Sequence, residues 1–410
     1  MTVIVQKYGG SSVADLDRIR GVAQMVASAR RQGHDMSVVV SAMGKTTDDL
    51  LGMARSLSST PPRRELDMLL STGERITMAL LAIALHEMGI ESISLTGSQS
   101  GIITNDQHTD ARVIEVRPFR VQDEMARGKV VIVGGFQGVS YRRDVTTLGR
   151  GGSDTTAVAL AAALGAERCE IYSDVDGIYT ADPAVVASAC HLPEISYQEM
   201  QEMSMAGAKV LASQAVEFAK NAGIAIYARS TFKPGRETVV RIMPPGRPRG
   251  VRAVVSERDV IRVRIRGKCA ADRLAEVLDI FNQARIPLKE LSATTLSGNV
   301  PWSRASFVIS RTNLHNWSRV LPVLEERTGD EVEIDEGLSA VSLIGEGINN
   351  DSSTLAATLD FLGGLSIPVL GVATTSFRIS CLVPGAFTEE AIRACHERWI
   401  DQTIPEPDVP

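Results

Sequence analysis

The sequence predicts an α/β protein, in which a mainly parallel sheet sandwiched by helices is followed by two small ferredoxin-like (βαββαβ) units. Three observations lead to this fold. Apolar strands alternate with helices over roughly the first 230 residues, a pattern typical of parallel strands joined by right-handed crossovers. Residues 233–252 then become rich in Pro and Gly and lose helical periodicity. Beyond them, shorter strands and helices repeat as two βαββα sets.

Composition limits the classes of partner. The 410 residues are enough for two or three domains, each with its own core. Hydrophobic residues make up 44% of the chain but aromatic residues only 4%, so the core must consist mainly of Ala, Val, Leu and Ile. The formal net charge is -6 with both signs interspersed, which offers no basic face for nucleic acid and no polybasic membrane anchor. We expect small-molecule ligands, with neither nucleic acid nor membrane as a partner.

The N-terminal residues and the cysteines indicate a cytoplasmic protein. MTVIVQKYGG lacks the apolar run of a signal peptide, and the longest apolar run, Ala157–Leu164, is too short to span a bilayer. The five cysteines are an odd number, widely spaced and never arranged as Cys-x-x-Cys, so we expect them to be reduced and mostly buried. No histidine pair has metal-ligand spacing, so no protein metal site is predicted.

In chain order, the first domain begins with a strand at Val3–Gln6, which has Lys7 at its carboxyl end and the turn Gly9-Gly10-Ser11-Ser12 after it. A helix is predicted over Asp15–Arg31. The following elements are a strand at Ser37–Ser41, a helical region holding Ser71 to Glu74, a strand at Ser92–Thr96, a loop from Gly97 to His108, and a strand at Val130–Gly134. Because ligands bind at the strand ends of open α/β sheets, we expect the polar turns after these strands to converge.

A glycine-rich turn and an Ala-rich helix follow within Val145–Pro183. The turn contains Gly149, Gly151 and Gly152. Ser153 and Asp154 come next and are favourable N-cap residues, so a helix is predicted to begin near Thr155. The N–H groups and dipole of this helix start, with Arg150 beside them, predict a site for a phosphate or a carboxylate. After the helix, CEIYSDV is a short buried strand and DVDGIYTADP a turn.

The remaining elements complete three predicted domains. A helical pair within Gln198–Lys220 and the strand IAIYARS close the first domain, residues 1–245. A first ferredoxin-like unit is predicted over 250–335 and a second over 336–403, with strand 251–256 available to complete the second. Their predicted elements are Val260–Ile265, Ala271–Ala284, Leu288–Leu291, Ser306–Ser310 and Leu314–Arg327, then Ala340–Ile344, Ser352–Leu362, Pro368–Val372, Ser376–Val383 and Thr388–Trp399.

The charged residues at the predicted strand ends are suited to phosphoryl transfer. Lys7, the glycine turn, Arg150 and Lys209 supply positive charge and N–H donors, and this reaction requires mainly positioning and charge neutralisation, with magnesium. No histidine lies in these turns, so no general base is evident. An acceptor that is already ionised, such as a carboxylate, needs none, and Arg150 is suited to hold a second carboxylate.

Each of these residues also has a plain structural interpretation. Lys7 alone would be a solvated lysine, Asp154 a helix cap, Glu74 a solvated helix residue, and Ser41 and Thr47 turn formers. The run Gly44-Lys45-Thr46-Thr47 suggests a nucleotide-hydrolase phosphate loop, but that loop requires a glycine where Val39 stands inside a strand. Only the combination of residues favours a site.

Several motifs resemble aspartate kinases of the amino-acid kinase superfamily, over nearly all of residues 1–235. The matching motifs are VQKYGGSSV at 5–13, VVVSAMGKTTDDLL at 38–51, STGERI at 71–76, TGSQSGIIT at 96–104 and the stretch 145–183. The resemblance implies an amino-acid-kinase-type catalytic domain followed by two ACT-type regulatory units. It also implies synthesis of aspartyl phosphate from L-aspartate and MgATP, at the entry to lysine, threonine and methionine synthesis, by a homo-oligomer joined partly through the regulatory units.

The resemblance also implies roles for individual residues. Lys7 and Asp154 would be catalytic, with Lys7 stabilising the phosphates in transit and Asp154 organising the neighbouring lysines. The residues expected to bind aspartate are Ser41, Thr47, Glu74, Arg150, Gly151, Gly152 and Ser153. The residues expected to bind the nucleotide are Lys7, Gly9, Gly10, Ser11, Ser173, Asp174, Tyr179, Asp182 and Lys209.

Two departures from the family pattern qualify these expectations. Asp182-Pro183 is followed by Ala184, where the family usually has an arginine that reaches the nucleotide phosphates. In the regulatory units, GKCAADRL, LSATTLSG and Asn349-Asn350-Asp351 replace the usual effector-binding motifs. The sequence therefore predicts an aspartate kinase with lost or altered feedback control by lysine and threonine, the effector being left open. The alternatives are a catalytically weak regulatory or structural paralogue and a kinase for a related acidic amino acid.

Overall fold

The computed structural model describes residues 2–149, 151–233, 235–244, 246, 249–267, 270–284, 286–296, 302–311, 314, 317–328 and 332–403. The chain divides into two compact units. The first consists of Met1–Tyr179, Cys190–Met205 and Lys209–Arg247, and the second of Thr180–Ala189, Ala206–Ala208 and Pro248–Pro410. A single boundary near residue 245 therefore misses two short segments, 180–189 and 206–208, that belong to the second unit.

The first unit is built on an eight-stranded sheet. The elements are β1 (Val3–Tyr8), α1 (Leu16–Arg31), β2 (Asp35–Val40), α2 (Thr46–Leu57), α3 (Arg63–Leu70), α4 (Thr72–Glu87), β3 (Ser92–Leu95), β4 (Ile102–Thr104), β5 (Val113–Val116), α5 (Phe119–Ala126), β6 (Val130–Gly134), β7 (Gln137–Ser140), β8 (Val145–Thr147), α6 (Gly152–Leu164), β9 (Arg168–Ser173), β10 (Ile178–Tyr179), β11 (His191–Leu192), β12 (Glu194–Ser196), α7 (Tyr197–Met205), α8 (Ser213–Ala222), β13 (Ile226–Ser230) and β14 (Glu237–Arg241). The strand order is β12-β14-β13-β9-β1-β2-β6-β3, and only the β13–β14 pair is antiparallel.

The predicted α1 forms because Asp15 caps it. The Asp15 carboxylate accepts a hydrogen bond from the Arg18 backbone N–H at 2.9 Å, and Arg30 and Arg31 lie in the last turn, where the helix dipole favours positive charge. Apolar residues of α1, α4 and one sheet face form a continuous core. The mainly parallel sheet covered by helices is thus confirmed for this unit.

A second, four-stranded sheet in the order β5-β4-β7-β8 was not fully predicted. Strand β4 lies inside the segment predicted as a loop from 97 to 108. It pairs with β7, and its Thr104 Oγ lies 2.6 Å from Thr146 Oγ in a fully buried contact. A strand this short carries too little periodicity to be recognised from sequence, because pairing with distant residues determines it.

The second unit contains one six-stranded sheet shared by both repeats. The elements are β15 (Ala253–Gly267), α9 (Ala270–Ala284), β16 (Lys289–Leu296), β17 (Trp302–Ser310), α10 (Trp317–Thr328), β18 (Val332–Ile344), α11 (Ser353–Gly364), β19 (Gly371–Thr374), β20 (Arg378–Pro384) and α12 (Thr388–Trp399). The strand order is β16-β17-β15-β18-β20-β19. This antiparallel sheet, covered by helices, agrees with two ACT-type units.

Two long strands run through both repeats. The first part of β15, Ala253–Glu257, pairs with Ala340–Ile344 of β18, as expected for a strand that completes the second repeat. The later part of β15 pairs with β17 and with Val332–Asp335 of β18. Each repeat nevertheless has its own apolar core, one around Phe281 and Phe307, the other around Ile379 and Cys395.

The segment 180–189 belongs to the core of the second repeat. Ala181 and Val186 pack in the same apolar cluster as Ile379, and the Thr180 carbonyl accepts a hydrogen bond from the Val254 N–H at 2.7 Å. His396 Nε2 lies 2.8 Å from Thr180 Oγ. These contacts explain why the boundary predicted from composition differs from the observed division.

One helical run, Arg63–Glu87, is long and apolar enough to cross a membrane by length and composition alone. It consists of α3 and α4, and 44% of its most apolar window is buried inside the protein. Core helices of soluble proteins have the same properties, so the run is weak evidence for a span. Of the described cysteines, Cys169, Cys381 and Cys395 are buried, Cys190 is exposed, and none forms a disulfide.

Candidate active site

The strongest cluster of predicted site residues lies where β1 ends and α6 begins. Lys7 Nζ is 2.6 Å from Asp154 Oδ1, and both side chains are about one-tenth exposed (11% and 9%). Burying two charges costs desolvation free energy that their attraction only partly offsets, so this ion pair is not explained by a gain in folding stability alone. The carboxylate fixes the ammonium group at the strand end, where its remaining N–H bonds can point to an anionic ligand.

The glycine turn after β1 lies directly against this lysine. The Gly9 N–H donates to the Tyr172 carbonyl at 3.1 Å, which fixes the turn on the end of β9. A Cβ added at Gly9 would lie 3.4 Å from Lys7 Nζ, and one at Gly10 would lie 3.0 Å from the Ala42 carbonyl oxygen. Glycine at these two positions therefore leaves the space beside the Lys7 ammonium group free of side chains.

Glu74, in the first turn of α4, is a buried carboxylate with one oxygen available. It is 2% exposed, and Oε1 accepts a hydrogen bond from the Ala42 N–H at 3.1 Å. Oε2 has no hydrogen-bond partner among the described residues. Burial raises the pKa of Glu74 to about 7, against the smaller opposite effect of backbone hydrogen bonds. A buried carboxylate oxygen without a hydrogen-bond partner lowers the stability of the fold, and a bound cationic ligand would supply that partner.

The start of α6 differs from the prediction. Ser153 and Asp154 were expected to cap a helix beginning near Thr155, but α6 begins at Gly152, with Gly151 at the N-cap in a left-handed conformation (φ 70°) and no side-chain cap. A Cβ at Gly151 would lie 2.4 Å from the Ala212 Cβ. Because glycine alone makes the cap, Asp154 is left free to pair with Lys7.

Ser153 connects this helix start with the end of β2. Ser41 Oγ donates to Ser153 Oγ at 3.0 Å, which brings two of the predicted aspartate-binding residues together. Gly135 lies against the same side chain, since a Cβ there would be 2.8 Å from Ser153 Oγ. The ends of β1, β2 and β6 therefore converge on the first turn of α6, as expected for an α/β sheet.

The predicted nucleotide-binding residues are held by bonds within their own loops. Ser173 ends β9 and contacts Val175 through its hydroxyl group, at 3.3 Å from the Val175 N–H. Tyr179 Oη donates to Asp176 at 2.8 Å, and this bond lowers the pKa of Asp176. Asp174 and Lys209 are exposed. This group is therefore much more open to solvent than the cluster around Lys7.

The other predicted site residues have different environments. Thr47 is half-buried in the first turn of α2, and the Ser11 carbonyl accepts a hydrogen bond from Arg18. Asp182 lies in the second unit, where it caps a turn by accepting from the Ala184 N–H at 2.9 Å. Arg150, predicted to hold a carboxylate of the substrate, lies outside the described residues.

Two functional features were missed from the sequence. The first is the Ala42 backbone N–H that orients Glu74; no side chain signals it, although Ala42 lies between Ser41 and the glycine at 44. The second is the close approach of Gly135 to Ser153. The consecutive glycines after β6 were a signal for this approach, since paired glycines at a strand end mark tight backbone packing.

Comparisons with known proteins show the family of the chain. The model of the amino acid kinase family matches residues 2–230. The chain is 41% identical over 405 residues to an aspartokinase of Mycolicibacterium smegmatis, covering 97% of this chain and 96% of the relative. It is 40% identical over 400 residues to an aspartokinase of Geobacillus stearothermophilus, covering 97% of each.

A solved structure has the same fold over nearly the whole chain. Aspartokinase III of E. coli, in complex with aspartate and ADP in its R-state, superimposes with a TM-score of 0.83 at 25% identity. The superposition covers 96% of this chain and 99% of that protein. The chain therefore belongs to the amino acid kinase family, and within it to the aspartokinases.

Proposed function

We propose that this chain transfers the γ-phosphoryl group of ATP to the β-carboxylate of L-aspartate, giving 4-phospho-L-aspartate for lysine, threonine and methionine biosynthesis in the cytoplasm. The observation that carries the proposal is the buried Glu74 carboxylate. Its Oε1 accepts a hydrogen bond from the N–H of Ala42, whose carbonyl oxygen lies close to Gly10 of the turn beside Lys7, and its Oε2 has no partner among the described residues. A buried carboxylate that lacks a cationic partner fits the ammonium group of an amino acid, and the buried Lys7 beside the glycine turn fits an anionic group.

Different residues bind the different charged groups of the substrate. Glu74 binds the ammonium group of aspartate, which supplies the partner that its Oε2 lacks. Arg150 is expected to hold the α-carboxylate, and Ser41 and Ser153 donate to the substrate from the ends of β2 and α6. The β-carboxylate is then directed towards Lys7.

Transfer requires no general base. The acceptor carboxylate is already ionised, so its oxygen forms a bond to the γ-phosphorus while the bond from phosphorus to the ADP oxygen breaks. Lys7, held by Asp154, neutralises charge on the phosphoryl oxygens as they pass. The backbone of Gly9, Gly10 and Ser11 lines this path, and the N-terminus of α6 adds its positive dipole end.

The nucleotide is expected at the ends of β9 and β10. Ser173, Asp174, Tyr179 and Lys209 would contact ATP. Within the described ranges no three His, Cys, Asp or Glu side chains gather as a metal site. The Mg²⁺ ion would therefore be bound mainly through the ATP phosphates, as in many kinases, where it shields their charge.

Altered feedback control is supported by the turn that replaces an effector motif in the second repeat. Asn349 Nδ2 donates to the Arg378 carbonyl at 3.0 Å, and Asp351 accepts from the Ser353 N–H at 2.8 Å. These side chains already serve the fold and are not arranged to bind an amino acid. In the first repeat, Lys268, Cys269, Ser297 and Gly298 of the altered motifs lie outside the described residues.

A homo-oligomer joined through the second unit is supported by its sheet edges. Strands β16 and β19 are the outer strands, and they carry the exposed apolar residues Leu291 and Val372. An open edge with apolar side chains is suited to pairing with another copy of the chain. Analytical ultracentrifugation of the full chain tests this, and a monomer at all concentrations would contradict it.

The activity is tested by trapping the acyl phosphate as its hydroxamate, with L-aspartate and MgATP. We expect product with aspartate and much less with glutamate at the same concentration. No product at high protein concentration would favour a catalytically weak paralogue, the reading motivated by Ala184, and preference for glutamate would favour a related acidic amino acid. Addition of lysine and threonine, singly and together, tests control, and strong inhibition would reject its loss.

A further inference from the structure

A fully buried carboxylate outside the cluster around Lys7 connects the two sides of the proposed aspartate pocket. Asp67 lies in α3 and is 0% exposed. Its Oδ1 accepts from Thr147 Oγ at 2.5 Å and from the Thr109 N–H at 3.0 Å, and its Oδ2 lies 2.6 Å from His108 Nδ1. Three elements are thus joined by one side chain: α3, the loop at 108–109 and the last residue of β8.

Both ends of this connection lead to residues that the proposed function uses. On one side, Asp67 in α3 lies seven residues before Glu74 in α4. Only Ser71 separates these two helices, and its N–H donates to the Asp67 carbonyl at 3.0 Å. On the other side, Thr147 ends β8, and the chain continues into the glycine turn that begins α6.

The loop held by Asp67 also packs on that glycine turn. Gly149 adopts φ 72°, and a Cβ there would lie 2.9 Å from Asp110 Oδ1 and 3.5 Å from the Thr109 carbonyl oxygen. Thr109 itself adopts φ 70°, a conformation that a non-glycine residue keeps only when its surroundings impose it, and its N–H is bound by Asp67. The carboxylate therefore fixes the loop that in turn limits where the glycine turn can lie.

A simple contribution to stability is a weak explanation for this group. Burial raises the pKa of Asp67, against the lowering effect of its bonds from Thr147 and His108, so the charged form is held in an unfavourable environment. Buried, fully bonded polar groups are suited to specifying one arrangement of the elements they join.

We propose that Asp67 is a positioning residue for the substrate amino acid, which sets the distance between Glu74 and the glycine turn at the start of α6. This inference rests on the proposed function. It implies that loss of the Asp67 contacts weakens binding of aspartate while leaving the nucleotide site intact, since Ser173 and Tyr179 are bonded within their own loops.

The test compares two adjacent threonines of β8. Thr147→Val removes the hydroxyl group that Asp67 binds, whereas Thr146→Val removes an equally buried hydroxyl group that binds Thr104 instead. In the full chain, we expect Thr147→Val to raise the KM for aspartate about tenfold with the KM for ATP within about twofold, the scale of a hydrogen bond to a charged group. Thr147→Ser retains the hydroxyl group and should restore the aspartate KM, and Thr146→Val should leave it unchanged.

Asp67→Asn should have a larger effect of the same kind, because it also disturbs the bonds to His108 and Thr109. The threonine variants keep the test decisive if Asp67→Asn fails to fold. Two results would overturn the inference. One is a lower melting temperature of Thr147→Val with unchanged KM values, and the other is an equal rise of the aspartate KM in Thr146→Val and Thr147→Val. An inactive wild-type chain would instead be a failure of the proposed function.

Discussion

The transfer region around Lys7, at the end of β1, and the proposed nucleotide region around Ser173 and Tyr179, at the end of β9 and in β10, are built differently. The first is buried, and its charged groups bind one another across elements far apart in the chain, such as Lys7 with Asp154. The second is more open, and its polar side chains bond mainly within the turn, as Tyr179 does with Asp176 and Ser173 with Val175. We therefore expect the fold to preorganise the proposed transfer site, and the nucleotide to organise much of its own proposed site on binding.

The largest expected effect is that of Lys7→Met on the transfer region. We expect kcat to fall about a thousandfold, because the moving phosphoryl charge loses its buried cation. Asp154 is then left without its partner, so the melting temperature should fall as well.

A double variant separates these two effects. Lys7→Met combined with Asp154→Asn should recover most of the melting temperature but none of the activity, as measured by calorimetry and hydroxamate formation. Lys220→Met, at an exposed position in α8, is the matched control and should be active. Substantial turnover by Lys7→Met would contradict the role given to the lysine.

The next largest effect is expected for Glu74→Gln. The amide can still accept from the Ala42 N–H, but it cannot pair with an ammonium group, so the KM for aspartate should rise about 10- to 100-fold. An unchanged aspartate KM would exclude Glu74 from the substrate site.

The same variant should change the pH dependence of stability without ligand. The pKa of Glu74 in the folded chain, about 7, lies above its ordinary value of 4.5, so the folded state binds the extra proton and becomes less stable as pH rises from 4.5 to 7. The loss is on the order of 3 kcal/mol at most. Glu74→Gln should flatten this decline and exceed the wild type in melting temperature at pH 8, and aspartate should stabilise only the wild type.

A smaller effect is expected from Gly135→Ala, which tests how closely the transfer region is packed. The new Cβ would lie 2.8 Å from Ser153 Oγ and 2.9 Å from a Val39 methyl group, so Ser153 must move away from Ser41. We expect a loss of about 1 to 3 kcal/mol in stability and a several-fold loss in kcat/KM. Gly21→Ala in α1 should instead be neutral or stabilising, because a Cβ at Gly21 would have no atom from outside its own stretch of helix backbone within 4 Å.

The smallest effect is expected from Tyr179→Phe in the nucleotide region. It removes one partly exposed hydrogen bond to Asp176, so the KM for ATP should rise only about two- to fivefold, with little change in stability. Tyr141→Phe, which removes an exposed bond to Glu115, should leave the KM for ATP unchanged. A large loss of kcat in Tyr179→Phe would remove the contrast between the two regions.

The sequence predicted most elements because their local signals agree with the fold. The helix predicted over Asp15–Arg31 matches α1 except that Asp15 is its cap, and the strand predicted at Val130–Gly134 matches β6 at both ends. Strand β4 was missed because only Ile102, Ile103 and Thr104 form it, and pairing with distant strands decides their conformation.

At the site, residue types were predictable but their partners were not. A lysine at the end of a strand and an aspartate after a glycine turn indicated an anion site, yet their ion pair depends on the order of β1 and β9 in the sheet. The helix cap was assigned to Ser153 and Asp154 because sequence rules favour side-chain caps, while the structure uses Gly151. The contact of Glu74 with a backbone amide has no counterpart in side-chain patterns.

Strands β15 and β18 make the two repeats of the second unit depend on each other for strand pairing. Since each strand pairs within both repeats, neither repeat can be removed without leaving half of the other repeat's sheet unpaired. A chain cut at residue 335 would lose the partner of Ala253–Glu257 and expose an apolar strand edge prone to aggregation. We therefore expect the two repeats to fold as one cooperative unit, and neither to be stable when it is expressed alone.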